Sequence, residues 1–254
     1  MQVPVYVISL KSATDRRENI KSQLDKMKIS YKFVDAIDKK DLTYETLKKA
    51  NISGIEKRLG RPFVPGEFAC HLSHIKACHL VEKSKEGVGI IVEDDVIFDE
   101  KFKKICTNYV SIEKLPEDYI CMLGMPGESY KKTVMNSLFR RYYVGDVIIR
   151  KTIGSTKYFC SSACCYLIKS NVAANFIRLA AQTPFLADEW KYTKEKKCFK
   201  GILLAVVAHH PDNWEVSDIE NERKNFRKNE KNSLYYKLAR FVYRKLRCLL
   251  MFGW

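Results

Sequence analysis

The run from Val3 to Leu10 (VPVYVISL) is almost entirely apolar and rich in β-branched and aromatic residues. Such a run predicts a strand buried on both faces, as in a parallel sheet. Polar Lys11-Ser12-Ala13-Thr14 follows, and Asp15-Arg16-Arg17 opens a helix with Ile20, Leu24 and Met27 as its apolar stripe. Tyr31 to Ile37 predicts a second strand, so the chain opens as a β-α-β unit, which argues for an α/β fold.

The pattern continues in the same manner. Residues 43–51 predict a helix, and Gly54 to Pro65, rich in Gly, Pro and Arg, predicts a loop. The Pro65-Gly66 pair precedes a helix expected over 67–85, which Gly87 and Gly89 end. Val88 to Val92 predicts a strand that runs directly into Glu93-Asp94-Asp95. A helix over 99–108 and a strand over 119–123 come next, and 124–162 predicts mobile loops and short strands. Ala163 to Ile168 predicts a strand, a helix runs from Ser170 to about Ala181, and Ile202 to Ala208 is the last clear strand. From Leu234, apolar residues recur at Leu238, Phe241, Val242, Leu246 and Leu249 with basic residues between them, which predicts an amphipathic helix. The expected domains are 1–220 and a basic tail, 221–254.

Charge changes this picture at one end only. The chain carries a net +15, and the segment from Arg223 to Trp254, with ten Lys/Arg against Glu230 alone, contributes +9 of it. A basic tail suggests an anionic partner such as a membrane surface, a lipid phosphate or nucleic acid. The nine cysteines show no CxxC pair and no regular spacing, so reduced, mostly buried thiols are expected. No run approaches the ~18 apolar residues of a membrane span, and no leader pattern precedes the first strand, which together predict a cytoplasmic protein.

The strongest chemical signal is IIVEDDV, three carboxylates at the carboxyl end of a buried strand, where open α/β sheets bind ligands. Adjacent carboxylates repel unless a cation neutralises them, and oxygen ligands favour hard ions such as Mg²⁺ or Mn²⁺. Residues two apart on extended chain share a side, so Glu93 and Asp95 can face one ligand while Asp94 holds another group. A solvated acidic turn is the alternative. The second signal is PGEFACHLSHIKACH, in which Glu67, His71 and His74 fall on one helical face. They could line a substrate pocket, bind a transition metal, or serve as ordinary helix polarity; the HExxH pattern is absent.

Together these pieces resemble glycosyltransferase family 25. The likeness rests on VYVISLKSATDRR, GEFACHLSH, IIVEDDV, CCYLIKSNVAANF and PFLADEW, in that order, and covers roughly residues 3–215. That family includes bacterial lipooligosaccharide galactosyltransferases and collagen-type hydroxylysine galactosyltransferases. The resemblance implies a GT-A-type fold around a mostly parallel central sheet and an inverting hexosyl transfer from a nucleotide sugar, UDP-galactose first. It also implies Mn²⁺ or Mg²⁺ on Glu93 and Asp95, with His209 or His210 as a late ligand. Ser9, Leu10, Arg16, Asp35 and Asp94 fall where the donor docks. Asp188 and Glu189 stand as base candidates, with Trp190 as a sugar platform and Glu67, His71 and His74 in the pocket. Ala69-Cys70 and the leading Glu93 depart from the family pattern.

The expected acceptor is a lipid-linked oligosaccharide of lipopolysaccharide type, with the basic tail on the anionic cytoplasmic face of the inner membrane. A protein acceptor and an inactive, sugar-nucleotide-binding relative are the alternatives. No nucleic-acid motif accompanies the positive charge, which argues against a nucleic-acid partner. No second DxH or HD pair supports a phosphohydrolase.

Overall fold

The computed structural model describes residues 1–50, 52–125, 134–153 and 162–210. Its centre is one mixed sheet. The opening unit is as expected: strand β1 (Val5–Ser9), helix α1 (Thr14–Met27) and strand β2 (Tyr31–Asp35). Helices α2 (Tyr44–Lys49), α3 (Ile52–Leu59) and α4 (Pro65–Glu82) lead to β3 (Val88–Glu93) and the two-residue β4 (Ile97–Phe98). Then come α5 (Glu100–Thr107), α6 (Tyr109–Glu113), β5 (Tyr119–Met125), β6 (Asn136–Val144) and β7 (Val147–Thr152). The described chain closes with β8 (Cys165–Lys169), α7 (Ser170–Ala180), α8 (Trp190–Glu195) and β9 (Gly201–His209).

The strand order is β2-β1-β3-β8-β5-β9-β7-β6, with β4 beside β9. Pairs β1–β2, β1–β3 and β5–β9 are parallel, while β8 runs antiparallel to both neighbours. Most strands therefore point one way, as expected of the α/β class, while β8 at the middle, β7 and the short β4 are reversed. The β8 reversal matters for the site. It sets the start of β8 against the end of β3, where the Glu93 N–H donates to the Cys164 carbonyl at 2.8 Å.

Alternation explains why the strands read as continuous apolar runs. Val5 and Val7 face one layer with Ile20, Leu24 and Phe102, whereas Tyr6 and Ile8 face the other with Ala77, Val81, Val172 and Phe176. Helices cover both faces, so all five residues of β1 are buried. Gly124 is needed where β5 meets β8. A Cβ there would stand 2.5 Å from the Cys164 Sγ and 2.8 Å from the Cys165 Cβ, closer than real atoms pack.

Two expectations need correction. The Gly54–Pro65 stretch is not all loop, because α3 runs to Leu59. Its Ile55 is fully buried against Phe63 and Phe68, and this packing overrides the local Gly and Arg content. Gly60, at φ 68°, then ends the helix. Within 124–162, residues 136–152 form a hairpin around Gly145, which has φ 60°. Leu138, Phe139, Arg140 and Arg141 are exposed on its outer strand, so no clean buried-polar alternation marks it. The predicted C-terminal helix and the boundary at 220 lie outside the described residues.

Helix α4 begins with Pro65 in its first turn, and the Glu67 carboxylate accepts the Val64 N–H at 3.3 Å. One turn on, His71 is 2% exposed, stacked on Phe68 and edge-on to Phe185 at 4.5 Å. Burial, assisted by neighbouring His74, lowers its pKa from 6.5 to about 4. The unfolded chain therefore binds the proton more readily than the folded one between those values. Stability is fully present above pH 6.5 and is lost as pH falls towards about 4. Each pKa unit corresponds to about 1.4 kcal/mol, so the loss is about 3 kcal/mol. Replacing His71→Phe is expected to flatten the pH dependence of the urea midpoint over this range; an unchanged slope would show that another group controls it.

Candidate active site

The carboxyl ends of β1, β2 and β3 lie side by side, with Ile8 in register with Glu93 and Ser9 with Asp35. Each member of the acidic triplet at this edge meets a partner from a different element. The Glu93 Oε1 lies 3.1 Å from the His74 Nε2, and the other ring nitrogen of His74 lies 3.0 Å from the Tyr166 hydroxyl. The Ser9 hydroxyl donates to the Asp94 Oδ2 at 2.5 Å, and Arg16 reaches the Asp94 Oδ1 at 3.4 Å. The Asp95 Oδ1 lies 3.3 Å from the His210 Nδ1, just past the end of β9. That last pair is an ion-pair contact without hydrogen-bond alignment, so the buried Asp95 Oδ1 has no hydrogen-bond donor among the described residues.

The electrostatics follow from these contacts. Burial raises the Asp94 pKa, and Asp95 and Glu93 add to it; Ser9 and Arg16 offset only part. Burial also works against charge at Asp95, but His210 and Arg16 outweigh it and hold that carboxyl below its ordinary range. Conversely, Asp95 and Cys164 overcome burial at His210 and raise its pKa.

The donor set suits a hard or borderline divalent ion. Glu93, Asp95 and His210 bring ligand atoms to within 4.8 Å of one another, two carboxylates and one imidazole. His209 stands apart. It pairs with Ile97 and Met125 in the sheet and its side chain is exposed, because successive strand residues point to opposite sides. The expectation that either histidine could serve therefore narrows to His210.

The strand end at Ser9 is also held by Arg17, a residue the sequence did not single out. Its guanidinium donates to the Ser9 carbonyl at 2.9 Å, the Leu10 carbonyl at 3.0 Å and the Asp35 Oδ1 at 2.7 Å, and it lies 4.8 Å over the Phe33 ring. Arg17, with burial opposing and Lys11 assisting, lowers the Asp35 pKa. Asp35 is thus engaged in fixing the strand end. Arg16 remains half-exposed beside Asp94. The first-turn position of Arg17 on α1, whose side chains lean back over the preceding turn, was the available signal.

Several expected pocket residues belong to the frame instead. Glu67 is 2% exposed and bidentate with Arg61, at 2.7 and 2.9 Å. His71 is packed between Phe68 and Phe185, so only His74 of that helical face reaches the acidic cluster. Glu189 is clamped by Arg58 at 2.6 and 3.1 Å and also accepts the Leu186 N–H, so its carboxylate is tied into the frame. Trp190 is not a sugar platform. It is 3% exposed, edge-on to Tyr166 at 5.5 Å, and its indole donates to the Ser162 carbonyl at 3.2 Å. A large aromatic at the start of α8 fills the space between β8 and α7. Asp188, beside it, is half-buried.

A family model for glycosyltransferase family 25, described as an LPS biosynthesis protein, matches residues 2–190. Procollagen galactosyltransferase 1-A of Xenopus laevis is 34% identical over 104 residues, 39% of this chain and 17% of the relative. Human procollagen galactosyltransferase 2 gives the same figures. The probable inactive glycosyltransferase 25 family member 3 of Bos taurus is 33% identical over 123 residues, 46% of this chain and 21% of the relative. The chain thus spans about a fifth of the length of these relatives. With the model covering most of the sequence and the acidic edge inside the matched span, the chain belongs to glycosyltransferase family 25.

Proposed function

We propose that this chain is an active hexosyltransferase of GT-A type that moves galactose from UDP-galactose onto an acceptor hydroxyl with inversion. The observation that carries the reading is the meeting of Glu93, Asp95 and His210 at the strand ends. Family membership and the galactosyltransferase names of the relatives support the donor sugar. Other relatives are named as inactive; in this chain each member of the acidic triplet is partnered, which supports an active site here.

In this reading Ser9, Leu10 and Arg16 receive the nucleotide and diphosphate, and Arg17 keeps the strand end rigid for them. Glu93, Asp95 and His210 would hold Mn²⁺ or Mg²⁺, which when bound supplies positive charge to the diphosphate leaving group. His74 orients Glu93, and Ser9 orients Asp94. The acceptor oxygen forms its bond to the anomeric carbon as the bond from that carbon to the diphosphate breaks. Its proton passes to an acceptor-side carboxylate, for which Asp188 and Glu189 are the candidates.

For the acceptor, the family description favours a lipopolysaccharide-type glycan, consistent with a lipid-linked acceptor. The procollagen names favour a hydroxylated protein as a second reading. The basic segment from Arg223 onward lies outside the described residues. On its sequence we assign it to an anionic cytoplasmic membrane face. A chain shortened after Asn232 is expected to lose binding to anionic vesicles while keeping turnover in solution; unchanged vesicle binding would remove that role.

The reaction itself is tested by UDP release from UDP-galactose with Mn²⁺, with a lipooligosaccharide or a hydroxylysine peptide as acceptor. Acceptor-dependent release is expected, with EDTA abolishing it and Asp95→Asn lowering kcat/KM by roughly 10²- to 10³-fold. No acceptor-dependent release from any UDP-sugar would favour an inactive relative, and undiminished turnover in the variant would put the site elsewhere.

A further inference from the structure

Glu93 also belongs to a second group of ligands, with His74 and with Cys70, a residue that the proposed transfer does not use. The Sγ, the ring nitrogen and the carboxylate oxygen lie within 4.8 Å of one another. Cys70 and His74 are one turn apart on α4, so their side chains share a face turned towards the end of β3. His74 is 4% exposed and Cys70 half-buried. Behind His74, the buried Tyr166 hydroxyl contacts Nδ1 at 3.0 Å and leaves Nε2 directed at Glu93. A hydrogen-bonding partner on the remote ring nitrogen is the usual support of a metal-ligating histidine.

The chemistry of this trio differs from that of its neighbour. Glu93, Asp95 and His210 are dominated by carboxylate oxygen, which suits Mn²⁺ and Mg²⁺. Cys70 adds a soft sulfur to an imidazole and a carboxylate, a set that suits Zn²⁺ with three protein ligands and one open position. We propose that Cys70, His74 and Glu93 form a site for a thiophilic divalent cation, Zn²⁺ above all, and that its filling draws Glu93 away from the Asp95–His210 side. Binding releases the Cys70 thiol proton to solvent and leaves a thiolate on the metal. The second half of the proposal, zinc inhibition through a shared carboxylate, rests on the transfer reaction inferred above; the binding half does not.

Cobalt(II) is the direct probe, because a thiolate ligand gives it a charge-transfer absorption in the near ultraviolet. Titrating the full, reduced chain with Co²⁺ is expected to produce that band. It should be lost in Cys70→Ser, kept in Asp95→Asn, and bleached by Zn²⁺. Absence of the band, or a band unchanged in Cys70→Ser, overturns the site. A second measurement needs no variant: Zn²⁺ is expected to slow iodoacetamide alkylation of Cys70 at least tenfold, followed peptide by peptide by mass spectrometry, and an unchanged rate overturns the site equally. In donor turnover, Zn²⁺ is expected to inhibit in competition with Mn²⁺. Inhibition indifferent to Mn²⁺ overturns the shared-carboxylate claim. A chain that turns over no donor at all fails the transfer reading, and the cobalt band then still decides the metal site by itself.

Discussion

Three carboxylates in sequence at the end of a buried strand repel one another, and the architecture of this protein answers that repulsion. Two like charges about 4 Å apart cost about 4 kcal/mol at an effective dielectric near 20, a large share of any domain's net stability. Here the charge is spread over four partners. Glu93 meets His74 from α4, Asp94 meets Ser9 from β1 and Arg16 from α1, and Asp95 meets His210 beyond β9. The cluster thus persists as three held carboxylates rather than a loose acidic turn.

The sheet order is what brings those partners together. β1 and β3 are parallel neighbours, so Ser9 and Glu93 end at the same edge. β8 is reversed between β3 and β5, which places Cys164 and Tyr166 beside the triplet and leaves room only for glycine at position 124. β9, parallel to β5, delivers His210 from far along the chain to the same edge. Residues separated by more than a hundred positions therefore form one site because of topology alone.

How much of this could be read beforehand depended on whether the signal was local. The opening β-α-β unit, the α4 helix and the β3 strand were legible because each carries a local signal: apolar runs for the strands, an apolar stripe for α1, and Pro-Gly and Gly boundaries for α4. The acidic edge was legible because three adjacent carboxylates directly after an apolar run are costly to keep unless something binds them. By contrast, α3 reads as loop until Ile55 is known to pack on Phe63 and Phe68, a tertiary contact that outweighs propensity. Glu67, Glu189 and Trp190 have the residue types of a sugar site, yet Arg61, Arg58 and the Ser162 carbonyl claim them. Arg61 lies six residues from Glu67, but Arg58 is 131 from Glu189 and Ser162 is 28 from Trp190, and no local pattern spans such separations. His209 and His210 could not be separated from spacing alone, since only the end of β9 decides which faces inward. Arg17 was overshadowed by Arg16 for a related reason: one residue along a helix turns a side chain by about 100°.

The central claim is that a divalent cation is held between the ends of β3 and β9. Crystals grown with Mn²⁺ and UDP, with diffraction recorded near the manganese absorption edge, locate that ion directly. One anomalous peak is expected, coordinated by Glu93, Asp95 and His210, with His209 outside its shell. A manganese ion found elsewhere, with Asp95 still paired to His210, would contradict the claim.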